Sequence, residues 1–115
     1  MAIRWDKLTV KAQEAVQKAN DLTSEYGNPE VQPVHILAAL LQDQEGIIPP
    51  LLERVGLSPQ TALAEATREI GNLPKLSGGG ATQAHLSDAA TQLLENAFKE
   101  ASAQFERTVR TVQLQ

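Results

Sequence analysis

The sequence contains no cysteine, few aromatic residues and no long apolar run. Without cysteine there is no disulfide framework, no thiolate metal site and no cysteine nucleophile. The only aromatics are Trp5, Tyr26, Phe98 and Phe105, so a core must be built from Leu, Ile, Val and Ala. No stretch approaches the roughly 20 apolar residues that span a bilayer, and the start, Met1 to Lys7, lacks the apolar segment of a signal peptide. An excess of basic residues is also missing. The formal charge of −4 argues against a broad nucleic-acid surface. A cytoplasmic chain is expected, with neither a membrane nor a nucleic acid as partner. What is present is 115 residues, 42% hydrophobic and 21% charged, the make-up of one small folded domain rather than a disordered tail.

Helical periodicity dominates. Leu8, Ala12, Ala15, Val16, Ala19 and Leu22 recur mostly at spacings of three and four, with Lys11, Glu14, Gln17, Lys18 and Asp21 between them. This predicts a helix from about Thr9, its cap, to Tyr26, stopped by Gly27-Asn28-Pro29. Pro33 suits the first turn of a second helix, whose near-continuous Val34 and Ile36–Leu41 predict burial on more than one side. Asp43–Gly46 makes a turn. Pro49 and Pro50 open a short third helix ended by Gly56, because interior prolines would cost about 3 kcal/mol each. Ser58-Pro59 opens a fourth, with Leu63, Ala66, Ile70 and Leu73 inward and Gly71 near its end. Residues 74–85, with Ser77-Gly78-Gly79-Gly80, read as a flexible linker. A fifth helix starts near Leu86-Ser87-Asp88, with Ala90, Leu93, Leu94, Ala97, Phe98 and Ala101 inward. The stretch from Phe105 alternates weakly and fits either a helix or a strand.

An internal repeat is visible at an offset of 78 residues: Leu8-Thr9 aligns with Leu86-Ser87, and Ala12, Ala15, Val16 and Ala19 with Ala90, Leu93, Leu94 and Ala97. Glu30-Val31-Gln32-Pro33-Val34 aligns more weakly with residues 108–112. These features predict an all-α domain divided into a first helical repeat (1–73), the linker (74–85) and an incomplete second repeat (86–115).

No catalytic constellation emerges. His35 lies in the most apolar segment and reads as a packing or first-turn hydrogen-bonding residue, and His85 as a solvated residue at the linker's end. No carboxylate spacing joins them in a metal site. Ser58 and Ser87 serve as caps, and no serine sits in a nucleophile elbow. The glycine run lacks the Gly-Lys-Ser/Thr step of a phosphate loop. Glu14, Asp21, Glu65, Glu69, Glu95 and Glu100 are explained as solvated helix faces. What remains is surface recognition, a groove between helices presented to an apolar peptide. Trp5, Tyr26, Ile47, Ile48 and Leu52 are candidate exposed apolar elements, with ordinary burial preference favouring the core for Ile47, Ile48 and Leu52 and Trp5 and Tyr26 suiting either role.

Ordered landmarks then carry a resemblance. Leu8-Thr9-Val10-Lys11-Ala12-Gln13-Glu14-Ala15, Val31–Leu41, Pro49-Pro50-Leu51-Leu52-Glu53, Val55-Gly56-Leu57, Asn72-Leu73-Pro74 and Leu86-Ser87 together resemble the N-terminal domain of ClpB-type disaggregase chaperones, in the Clp ATPase family. Val34 stands where the family usually has an acid. The resemblance implies one complete four-helix repeat plus the start of a second. It also implies a non-catalytic chaperone module of the stress response, needing no cofactor or metal, placed ahead of ATPase modules in a hexamer. Its partners would be unfolded or aggregated polypeptides, or adaptor proteins in a docking alternative. Thr9 matches the family threonine, and Tyr26, Ile48, Leu52 and Glu100 are candidate polypeptide contacts. With the second repeat incomplete, the fifth helix is expected to pack on the first repeat or to pair with another copy.

Overall fold

The computed structural model describes residues 9–75 and 84–114. Trp5 and the glycine-rich stretch 77–82 lie outside the described residues, as do the side chains of Phe98 and Ala101. The described chain is five helices and one short strand pair.

Helix α1 (Val10–Tyr26) begins at Thr9, whose Oγ1 accepts the Ala12 N–H at 3.1 Å. That bond satisfies one of the backbone donors a helix start leaves unpaired. The helix ends at Gly27, held at φ +72°, where the N–H groups of Gly27 and Asn28 both turn back to the Thr23 carbonyl. Only glycine takes this left-handed conformation without a steric penalty. Val16, Ala19, Leu22 and Thr23 are the buried face.

Strand β1 (Glu30–Val31) leads into α2 (Pro33–Gln42), which opens on its proline and buries His35, Ile36, Ala38, Ala39 and Leu41. Helix α3 (Ile48–Arg54) carries Pro49 and Pro50 in its first turn and buries no residue. Gly56, at φ +84°, makes the tight exit from it. Helix α4 (Pro59–Gly71) is capped by Ser58, whose Oγ accepts the Thr61 N–H at 3.2 Å. Its Ala66 and Ile70 are buried, and Leu63 and Leu73 are half-buried.

Helix α2 is the centre of the packing. One side meets α1, β1 and the start of the last helix in a cluster of Ala19, Val31, Ile36, Ala39 and Ala90. The other meets α1 and α4 through Leu22, Ala38, Ala66 and Ile70. The alanines allow close helix approach, and the branched side chains fill the space between. Full burial of Ile70 contributes about 1.5–3 kcal/mol.

Strand β2 (His85–Leu86) pairs in parallel with β1, Glu30 opposite His85 and Val31 opposite Leu86. Its two residues are too few for a periodicity to register. The Ser87 N–H extends the pairing to the Val31 carbonyl at 3.0 Å. Helix α5 (Asp88–Leu114) then runs 27 residues without interruption, about 40 Å at 1.5 Å per residue. The stretch that fitted either helix or strand is therefore helix. The weaker part of the repeat alignment is corrected as well, since residues 108–112 continue α5 while Glu30-Val31 is a strand. With Ala90 in the first cluster, α5 packs on the first repeat.

Candidate functional site

A groove of about 600 Å³ opens between the start of α1 and the connection from α2 to α3. Its apolar lining comes from Ala12 and Ala15 on α1, Ala39 and Leu40 on α2, and Ile47 and Ile48 at the head of α3. The turn that carries the two isoleucines is built by Asp43. Its Oδ1 accepts the Glu45 N–H at 3.2 Å, and its carbonyl accepts the Gly46 N–H at 3.1 Å. A Cβ on Gly46 would stand 2.9 Å from Asp43 Oδ2, so a side chain there would displace the Asp43 carboxylate. The result leaves Ile47 78% exposed at the rim. This corrects its assignment to the core: the turn preceding α3 lifts Ile47 off the body, and α2 and α4 fill the core without it.

Charged groups ring the groove. Lys11 Nζ lies 3.7 Å from Asp43 Oδ2, joining α1 to the turn, while Glu14, Lys18 and Glu45 stand on the rim. Both partners of the ion pair are solvated, so its stabilising value is below about 1 kcal/mol. The pair positions the mouth more than it holds the fold. The lining holds no serine, cysteine or histidine, and no group of three or more His, Asp or Glu among the described residues could hold a metal. An apolar floor with a mixed-charge rim suits peptide binding.

The structure brings Thr9 and Ile48 to this groove. Tyr26, at the other end of α1, packs on the Leu22–Ile70 cluster, with Lys75 Nζ 5.5 Å from its ring centre. Leu52 is half-buried on α3, outside the lining. Glu100 lies on α5, 3.3 Å from Arg107. The five residues therefore do not form one site. Sequence reasoning missed Leu40 and the Lys11–Asp43 pair, and it weighed Ile47 as an exposed element but favoured the core. The signal for Ile47 was its place between a glycine turn and two prolines, where a helix is only starting and little has folded over it.

The histidines divide as the sequence predicted. His85 is exposed on β2. His35 is fully buried, with both ring nitrogens hydrogen-bonded.

Residues 7–114 match the family described as "Clp repeat (R) N-terminal domain". The chain belongs to the Clp N-terminal repeat family. The Clp repeat domain here is all-α, one four-helix repeat followed by the opening helix of another. Three similar proteins each carry the name "Chaperone protein ClpB". The one from Mycobacterium bovis is 46% identical over 79 residues, covering 69% of this chain and 9% of its own length. That from Corynebacterium diphtheriae is 37% identical over 89 residues, 77% of this chain and 10% of its own. The Rhodopirellula baltica protein is 35% identical over 114 residues, 99% of this chain and 13% of its own. The chain thus spans only about a tenth of the relatives it matches. Among the described residues, no helix is long and apolar enough to cross a membrane.

Proposed function

We propose that this Clp repeat domain captures apolar segments of unfolded or aggregated polypeptides for an ATP-driven disaggregase of the ClpB type, in the cytoplasm. The observation that carries this reading is the groove between α1 and the α2–α3 turn, with Ile47 exposed at its mouth. Capture by such a shallow site is weak and reversible, because little apolar area is removed from water and the client loses conformational freedom. Weak capture suits a module that must hand its client on. In this reading residues 1–73 are the first repeat, 74–85 a linker and 86–115 part of a second repeat.

Titration with a denatured model client, followed through backbone amide shifts, tests the proposal. Shifts should concentrate on Ala12, Ala15, Leu40 and Ile48, and Ile47→Asp should weaken binding about tenfold. Unchanged shifts at those residues, with the client in excess, overturn it.

A second reading is docking of a folded adaptor. It is favoured by Leu51, Val55 and Leu57, all more than half exposed on and beyond α3. Shifts confined to those residues, produced by a folded partner and by no client, would select it. Sedimentation over a concentration series tests self-pairing through α5, and a 12.4 kDa monomer throughout excludes it.

A further inference from the structure

His35 is 0% exposed and spans the segment that holds β1. Its Nδ1 accepts the Gln32 N–H at 2.9 Å, on the far side of the strand. A neutral ring accepting at Nδ1 carries its proton on Nε2. Nε2 therefore donates to Asn28 Oδ1, 3.0 Å away on the near side of the strand. Asn28 in turn donates from Nδ2 to the Pro74 carbonyl at 3.1 Å. One imidazole thus fixes both flanks of β1 and, through Asn28, the point where the chain leaves α4. Strand β1 is also what receives β2, and the Ser87 N–H that bonds to Val31 leads directly into α5.

We propose that the Gln32–His35–Asn28–Pro74 chain is a proton-sensitive latch that governs docking of β2 and α5 on the first repeat. A second proton on the ring would have to sit on Nδ1, where it faces the Gln32 N–H and removes that donor's acceptor. The imidazolium would also be a charge without a carboxylate partner in a dry site. The ring relieves both faults by leaving its pocket. It then withdraws from Asn28 and from Gln32 together, and the two flanks of β1 lose their fixed spacing. Pairing with β2 weakens, and the start of α5 detaches with it.

Charged and titratable groups on the surrounding elements do not offset this. Glu25 and Tyr26 end α1, Glu30 lies on β1, Arg68 and Glu69 lie on α4, and Lys75 follows α4 and bonds to the Tyr26 carbonyl. His85 on β2 stands opposite Glu30. None of these is bonded to the imidazole, whose two nitrogens are taken by Gln32 and Asn28. Burial holds the His35 pKa below its ordinary 6.5. The unfolded chain therefore binds the proton first as pH falls. The latch's contribution is complete above 6.5 and is lost as pH falls through the lowered folded value.

The test is amide exchange of the whole chain across this range, expressed as protection so that the intrinsic pH dependence is removed. Protection of the Ser87 amide should fall with decreasing pH, by up to about tenfold per pH unit, the slope for one proton. His85→Gln should show the same fall, since the exposed histidine is outside the latch, and His35→Gln should show none. An equal fall in His35→Gln, or no fall in the wild type, overturns the proposal. If His35→Gln does not fold, imidazole nitrogen resonances of the wild type decide. Loss of the Nε2–H tautomer should coincide with loss of Ser87 protection. A ring already protonated on Nδ1 at neutral pH, or a titration that leaves Ser87 unaffected, overturns the latch.

Discussion

Helices α1 and α5 open in the same way and end differently. Thr9 and Ser87, 78 positions apart, each accept the N–H three residues on, from Ala12 and Ala90 at 3.1 and 3.0 Å. Val16 and Leu94 are both buried, although in the aligned pair before them Ala15 is half-buried and Leu93, expected inward, is exposed. Beyond that the two diverge. Ala19 is fully buried, while its equivalent Ala97 is exposed. Gly27 turns the chain at positive φ and ends α1, whereas Phe105 occupies the equivalent position and α5 continues to Leu114. The stop Gly27-Asn28-Pro29 has no counterpart in Phe105-Glu106-Arg107, and its glycine makes the turn. An L-residue at that point would pay about 1–2 kcal/mol to turn left-handed, and without such a turn an amphipathic helix continues. Similar starts give the two helices the same cap, but burial beyond the first turns depends on what packs against them.

The largest test of this contrast is a pair of substitutions at the aligned alanines. Ala19→Leu should destabilise by about 2 kcal/mol through overpacking of a filled core. Ala97→Leu should remain within about 0.5 kcal/mol of the wild type. Urea midpoints of the two variants check this, and equal losses would erase the contrast. Next, Gly27→Ala should cost about 1–2 kcal/mol. The added Cβ meets nothing closer than Lys75 Cβ at 3.9 Å, so the penalty is conformational rather than steric. Thermal unfolding measures it, and a neutral effect would show that the turn tolerates another conformation. Removing the caps is smaller. Thr9→Ala and Ser87→Ala should each cost about 1 kcal/mol, with Ser87 the larger because it is buried and its loss leaves a backbone donor unmet away from water. Smallest is Phe105→Gly. A glycine inside the helix costs about 1 kcal/mol locally, read as lost amide protection after residue 105, while the protection of Ala90 and Leu94 stays unchanged.

Much of this architecture was legible in advance. The Thr9 and Ser58 caps, the prolines opening α2, α3 and α4, and the glycine exits at 27 and 56 are local devices. Their cause lies within three or four residues, so the sequence displays it directly. The strand pair was not legible, because two residues on each side carry no period and their partners are 55 positions apart. Nor was the fate of the last stretch, whose weak alternation competed with a helical stripe until helix continuity decided it. At the groove, Thr9 could be named from its match to the Clp N-terminal pattern, and Ile48 only as a guessed neighbour of it. Ile47 was misassigned because hydrophobicity alone does not say whether a neighbouring element covers it.

Local chemistry set out by the sequence therefore determined the number and bounds of the first four helices, the caps that start them and the glycines that stop two of them. It also excluded thiol chemistry outright. Only tertiary structure decided that α2 is the central element, that Ile47 faces outward, and that His35 bridges Gln32 and Asn28 across β1. Caps and breakers act through the nearest few backbone bonds. Burial and long-range hydrogen bonds exist only once distant segments have met, and no single segment encodes that meeting.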